Sequence, residues 1–230
     1  MSRWTARFDH IRDNATLSPI QTPRRAVYDK GQPRHKETAM PFLPSLPDPA
    51  HLSDLYARFP DNVQPLMVYT DGLLRGEGAL SIGERELIAT YVSALNACTF
   101  CAGAHRAYAE VFGIDPALID ALIEDVDSAP VDEKLRPVLA YVAKLNTLPS
   151  KLVERDAQAV YDAGWSEAAL YEAVQVCALF NMMNRIVEGV GVNFDYADAP
   201  DGHPAAGTTA QDQADSYARF GEMVAEMAKG

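Results

Sequence analysis

Ser81-Ile-Gly-Glu-Arg-Glu86-Leu-Ile-Ala-Thr-Tyr91-Val-Ser-Ala-Leu95-Asn96-Ala-Cys98-Thr-Phe-Cys101-Ala-Gly-Ala-His105 is the stretch whose reading decides this chain. It opens with a helix start. Ser81 and Glu84 have the spacing of a capping box, in which the Ser81 hydroxyl accepts from the Glu84 amide while the Glu84 carboxylate reaches back. Leu87, Ile88, Tyr91, Val92 and Leu95 follow at a period near 3.6, so the spacing predicts an amphipathic helix. Asn96 is read as the cap of the next helix, which carries Cys98, Cys101 and His105 and ends at Gly113.

Outward from this stretch the pattern is helix after helix. Residues 50–59 place Leu52, Leu55 and Phe59 at helical spacing, and 62–75 do the same with Val63, Leu66, Met67 and Leu74 before Gly76 and Gly78. Further helices are expected over 115–125, 131–146, 150–163 and 166–189. Pro130 and Pro149 stand at helix starts, and Gly164 divides two of them. No segment reads as a strand. The fold class is therefore all-α, with one principal helical domain over 40–195. Residues 196–211, rich in Gly, Ala, Thr, Gln and Asp, read as a flexible linker. Residues 212–230 read as a C-terminal amphipathic helix, its body at 212–228, with Tyr217, Phe220, Val224 and Met227 on one side.

The chain has 230 residues, 48% hydrophobic and 23% charged, the composition of an ordinary globular protein. No apolar run approaches the ~20 residues that span a bilayer, and no apolar signal segment opens the chain. The net charge of -12 disfavours nucleic acids and anionic membranes as partners, since both are polyanions. Three cysteines do not make a secreted disulfide framework; a single C-x-x-C in a reducing, cytoplasmic setting points to redox chemistry or a metal. The first 39 residues carry eight Lys/Arg against four Asp/Glu and show no apolar period, whereas the remainder holds twelve basic and twenty-eight acidic residues. Residues 1–39 read as a poorly ordered extension.

Helical phasing gives the cysteine motif its meaning. At about 100° per residue, Cys98, Cys101 and His105 fall within about 60° of one another on one face. With Asn96 as cap, Cys98 lies in the first turn, where free amides and the helix dipole favour a thiolate. His105 is four residues beyond Cys101, within reach of its proton, and two cysteines at this spacing can close a disulfide. Glu86 shares a face with Ala89, Thr90, Ser93 and Ala97, small residues that let a second helix approach. An antiparallel return near 95–98 would bring Glu86 to His105. Structural zinc needs four ligands, and Cys177, among Val176, Leu179 and Phe180, reads as core. A thioredoxin-like site would follow a strand, and none precedes Cys98.

Glu86, Cys98-x-x-Cys101 and His105 together resemble the alkyl hydroperoxidase D-like branch of the carboxymuconolactone decarboxylase family. So do Ser81–Ala89, Ser93–Cys98 and the later Leu179-Phe-Asn-Met-Met-Asn-Arg-Ile; the resemblance covers about 40–195. It implies an oligomeric helical dithiol peroxidase without a cofactor. Cys101 would be the attacking thiolate on a hydroperoxide, Cys98 the resolving thiol, Glu86 and His105 the proton relay, and a dithiol donor would restore the pair. Alkyl hydroperoxidase D, for which the branch is named, has a further His immediately before the second cysteine, where this chain has Phe100. Two other readings attach to the same residues: a non-catalytic thiol redox sensor, and a lactone decarboxylase of the same superfamily.

Tyr91 reads as core, and Asn181 and Asn184 as capping or oligomer contacts. His10, His35, His51 and His203 are assigned no role. The tail helix covers either its own domain or a neighbouring subunit, and a homo-oligomer is expected. Met40 opens Met-Pro-Phe-Leu-Pro, and Lys36-Glu37 can be encoded by a purine-rich ribosome-binding sequence just upstream. Translation starting at Met40 is thus one expectation for the first 39 residues. Intact-mass measurement on protein from its native host decides it, and a full-length mass would exclude it.

Overall fold

The computed structural model describes residues 40–227. The N-terminal extension of 1–39, with His10 and His35, lies outside the described residues, as do 228–230 and the Met227 side chain. Among the described residues there are nine α-helices and no strand. They are α1 (Leu52–Arg58), α2 (Val63–Arg75), α3 (Ile82–Leu95), α4 (Thr99–Val111), α5 (Pro116–Glu124), α6 (Arg136–Thr147), α7 (Glu154–Asp162), α8 (Glu167–Val190) and α9 (Ser216–Met227). Short 3-10 turns occupy Pro149–Lys151, Pro200–Gly202 and Gln211–Gln213.

Helix α3 is the axis of the bundle. The Ser81–Glu84 capping box forms as expected. The rest of α3 is less like a surface helix than its apolar stripe predicts: Leu87, Ile88, Tyr91 and Val92 are buried, but so are Arg85, Glu86, Thr90 and Ser93. Leu95, placed on the stripe, is exposed. The cause is packing on both sides. Helix α8 covers the apolar face, with Val176 and Phe180 in the core, and α4 returns along the small-residue face. Burying a side chain such as Phe180 contributes about 1.5–3 kcal/mol, and the α3–α8 seam holds many of the largest fully buried ones.

The return from α3 to α4 is made without Gly or Pro. Asn96 ends α3, Ala97 adopts a left-handed φ of 56°, and the next amides turn back onto the helix. Cys98 N donates to Ser93 O at 2.9 Å and Ala97 N to Ala94 O at 3.0 Å, the two bonds of a Schellman end. Asn96 therefore closes α3 and does not cap α4; Cys98 itself is the N-cap residue. The Asn96 side chain is spent elsewhere. Asn181 donates to Asn146 (2.6 Å), Asn146 to Asn96 (3.0 Å), Asn96 to Asn184 (2.9 Å), and Asn184 to the Ser93 hydroxyl (3.0 Å). This amide chain ties the turn to α6 and α8, which accounts for Asn181 and Asn184 beside the buried apolar side chains of α8.

Other boundaries move for local reasons. Helix α6 begins at Arg136, because Asp132 caps the Lys134 amide at 2.7 Å and closes a turn first. Helix α7 begins at Glu154, after a 3-10 turn, where Asp156 accepts from the Val153 amide at 2.8 Å. The tail departs furthest from expectation. Residues 196–211 bury Tyr196, His203 and Ala205 against the bundle, so this stretch is packed and does not act as a solvated linker. Helix α9 begins at Ser216 and lies on α2 of its own chain. Gly221 permits this approach: a Cβ there would stand 2.7 Å from Met67 Cβ.

Left-handed backbone at a non-glycine residue costs roughly 1–2 kcal/mol. Ala97→Gly removes that cost and adds some unfolded-state freedom, so a net gain of about 0.5–1 kcal/mol is expected in urea unfolding.

Candidate active site

The α3–α4 hairpin brings Glu86 and His105 together, as the sequence suggested, with His105 Nδ1 2.6 Å from Glu86 Oε2. A lone pair at Nδ1 would face the carboxylate, so Nδ1 carries the proton and donates it. Nε2 is then the ring's acceptor. The Glu86 carboxylate has no solvent exposure. Its second oxygen is bound by Arg75 Nη1, a partner the sequence reading did not find. Burial alone would push the Glu86 carboxyl upward. His105 and Arg75 together outweigh burial and hold it below the usual carboxylate range.

Arg75 reaches the site from the last turn of α2. Its Nε donates to Gln213 O at 2.9 Å and its Nη1 also to Leu74 O at 3.2 Å. The guanidinium carbon lies 5.1 Å from the Tyr108 ring centroid, 4.8 Å from Phe112 and 4.7 Å from Tyr217. Those faces suit a buried guanidinium. Arg75 and His105 thus hold one carboxylate oxygen each, and together they keep the buried Glu86 ionised.

Cys98 and Cys101 are both buried and unbridged. The expectation that the helix dipole makes Cys98 a thiolate is not met. Cys98 stands at the N-cap with its thiol bonded to Cys101, and that bond, followed by burial, pushes its pKa far up. Cys98 stays a thiol. Cys101 lines an apolar cavity of about 180 Å³ together with His105, Phe180, Tyr108, Tyr196 and Tyr217. The His105 ring meets Phe180 edge-on at 4.3 Å, which fixes its tilt in the wall. Cys177 packs in the core as expected, its thiol pushed up to about 11 by burial.

Three residues of this cavity escaped the sequence reading. His51 caps α1, bonds Tyr196 Oη through Nε2 at 2.6 Å, and meets the Phe100 ring edge-on at 5.0 Å. His203 Nδ1 accepts from the Ala205 amide at 2.9 Å, and burial, then the field of His105, lowers its pKa to about 4. Tyr217, from α9, places its hydroxyl 3.3 Å from Glu86 Oε1 and 3.4 Å from His105 Nδ1. Only His51, at a helix start, carried a local signal. Phe100 packs into an aromatic group with His51 and Tyr196 beside the cysteines, 5.4 Å from the Tyr196 ring. On the other side of α4 lies a larger groove of about 620 Å³, divided from the cysteine cavity by Tyr196 and His203. Among the described residues no cluster of three or more His, Cys, Asp or Glu side chains converges as a metal-ligand set. None of the described helices is long and apolar enough to cross a membrane.

Residues 60–144 match the carboxymuconolactone decarboxylase family, a span that includes Glu86, Cys98, Cys101 and His105. Two solved structures are similar. One is an uncharacterized peroxidase-related protein from Silicibacter sp. TM1040, 29% identical, with a TM-score of 0.57, covering 60% of this chain and 73% of that one. The other, described as an alkylhydroperoxidase AhpD core and uncharacterized peroxidase-related protein from Ralstonia eutropha JMP134, is 26% identical, with a TM-score of 0.58 and the same coverages. Among curated proteins there is no significant match. The resemblance read from the residues is thus supported over 60–144 by the family match, and in its helical fold by two structures described as peroxidase-related.

Two measurements follow from this geometry. Glu86→Ala leaves the Arg75 cation buried without its counter-charge and is expected to cost about 3–5 kcal/mol in denaturant unfolding. His203 has a folded value below its unfolded one, so the stability it contributes is fully present above about pH 6.5 and is lost as pH falls towards about 4. His203→Gln should flatten the pH dependence of urea midpoints across that window, beside a pH-independent loss from the Ala205 amide bond.

Proposed function

We propose that this chain is a dithiol peroxidase acting on hydroperoxides. The observation that carries the reading is the buried pair in which Cys98 keeps its proton beside Cys101, in a cavity whose wall also holds the Glu86-anchored His105. Cys101 as thiolate attacks the outer oxygen of the peroxide bond; the O–O bond breaks, the alkoxide leaves and takes a proton, and Cys101 becomes a sulfenic acid. Cys98 then gives its sulfur to Cys101, releasing water and closing a disulfide. A dithiol donor reduces that bond by thiol–disulfide exchange and leaves as its own disulfide. His105 takes and returns protons at Nε2, while Glu86 fixes the ring through Nδ1.

The apolar lining favours an organic hydroperoxide over a charged substrate. No cofactor enters these steps. The reading places the chain in a reducing, cytoplasmic compartment, where a dithiol donor is available, and includes self-association. Exposed apolar side chains such as Val68 and Tyr171 support the latter, and light scattering tests it.

Stopped-flow mixing of the reduced protein with micromolar hydroperoxide should show oxidation, and mass analysis should find a Cys98–Cys101 bond. Cys101→Ser is expected to abolish turnover. Cys98→Ser is expected to stop after one event, with a sulfenic acid on Cys101 that a dimedone probe captures. Oxidation that changes assembly without turnover would instead mark a redox sensor. Lactone decarboxylation surviving loss of both thiols would replace the peroxidase reading by the chemistry for which the matched family is named.

A further inference from the structure

We propose that Tyr217, carried by the C-terminal helix α9, is a positioning residue for the Glu86–His105 relay. The matched family segment ends at residue 144, inside α6, so α9 is an addition from outside that segment. Among the described residues, Tyr217 supplies the one hydroxyl hydrogen-bonded to the Glu86 carboxylate. It reaches the relay in a chain that has Phe100, and no second histidine, between its two cysteines.

The hydroxyl's position is fixed from several directions. Asp71 Oδ1 on α2 accepts from the Tyr217 amide at 3.1 Å and the Ala218 amide at 3.2 Å, pinning the first turn of α9. Arg75 holds Gln213 O just upstream, and the Gln213 side chain donates to Pro204 O at 3.0 Å. Gly221 seats the next turns against Met67. The Tyr217 ring then lies over the Arg75 guanidinium and nearly parallel to His105, at an interplanar angle of 19°.

This arrangement divides the carboxylate between two tasks. Oε1 accepts from Arg75 and Tyr217, and Oε2 accepts from His105. Each donor on Oε1 draws charge away from Oε2 and so weakens the pull on the His105 proton. The other ionisable groups around the relay are His51 and Tyr56 at α1, Arg75 on α2, Arg85 on α3, Cys101 and Tyr108 on α4, and Tyr196 and His203 from the segment after α8. Tyr217 is kept protonated by burial and by Glu86, so it remains a donor throughout. Removing its hydroxyl leaves more carboxylate charge for His105 and stabilises the imidazolium. The relay role rests on the peroxidase reading; the effect on the ring does not.

The test is an NMR pH titration of the isotope-labelled His105 ring in the full chain. In Tyr217→Phe the ring is expected to titrate at higher pH than in the parent, with its Nδ1 proton moved downfield. Site-specific 3-fluorotyrosine at 217, a stronger donor of nearly the same shape, should move the ring the opposite way. This second variant keeps the test valid if Tyr217→Phe folds poorly. No shift in either folded variant, or shifts of the same sign in both, would overturn the proposal. If the ring shifts as expected while hydroperoxide oxidises neither protein, the Tyr217 assignment stands and the peroxidase reading falls.

Discussion

A carboxylate with no access to water, Glu86, is the constraint on which this structure turns. An isolated buried carboxylate is too costly to remain ionised, so the protein must supply charge and donors for it. It does so from three directions: Arg75 from α2, His105 from α4 and Tyr217 from α9. Those helices are consequently held to α3 by more than apolar contact. Displacing any of them strands a polar group in the interior, a penalty of order 1–3 kcal/mol or more. The same residue therefore organises the bundle and anchors His105 in the wall of the cavity that Cys101 lines.

The turn between α3 and α4 is the second requirement, because it sets where the cysteines and His105 fall. It uses a left-handed alanine, two Schellman bonds and an amide chain running through Asn146, Asn181 and Asn184. Cys98 sits at the point of reversal, not inside the helix, and this changes its chemistry. A thiol in the first turn would feel free amides; at the N-cap, buried against Cys101, it keeps its proton.

Much of the bundle was readable in the chain because helix signals are local. The Ser81–Glu84 box and the 3.6 period place α3, and C-x-x-C followed by His105 marks the face of α4 that meets the cavity and Glu86. What misled was also local. Asn96 looked like an N-cap because its type suits one, yet its side chain is recruited by α6 and α8. Residues 196–211 looked like a linker because their composition is polar and small. Tyr196 and His203 are buried there by contacts with the cysteine cavity that composition does not encode.

By itself the sequence determined the all-α class and the resemblance over the α3–α4 region, and it singled out Glu86, Cys98, Cys101 and His105 as candidates. These are carried by spacings of a few residues within two adjacent helices. Only the tertiary structure decided that Arg75 neutralises Glu86, that His51 and His203 border the cavity, and that Tyr217 comes back from the far end of the chain. Arg75 precedes Glu86 by 11 positions and Tyr217 follows it by 131. No periodicity links such separations. They are fixed by which helix faces pack together, and the buried charge of Glu86 makes that packing specific.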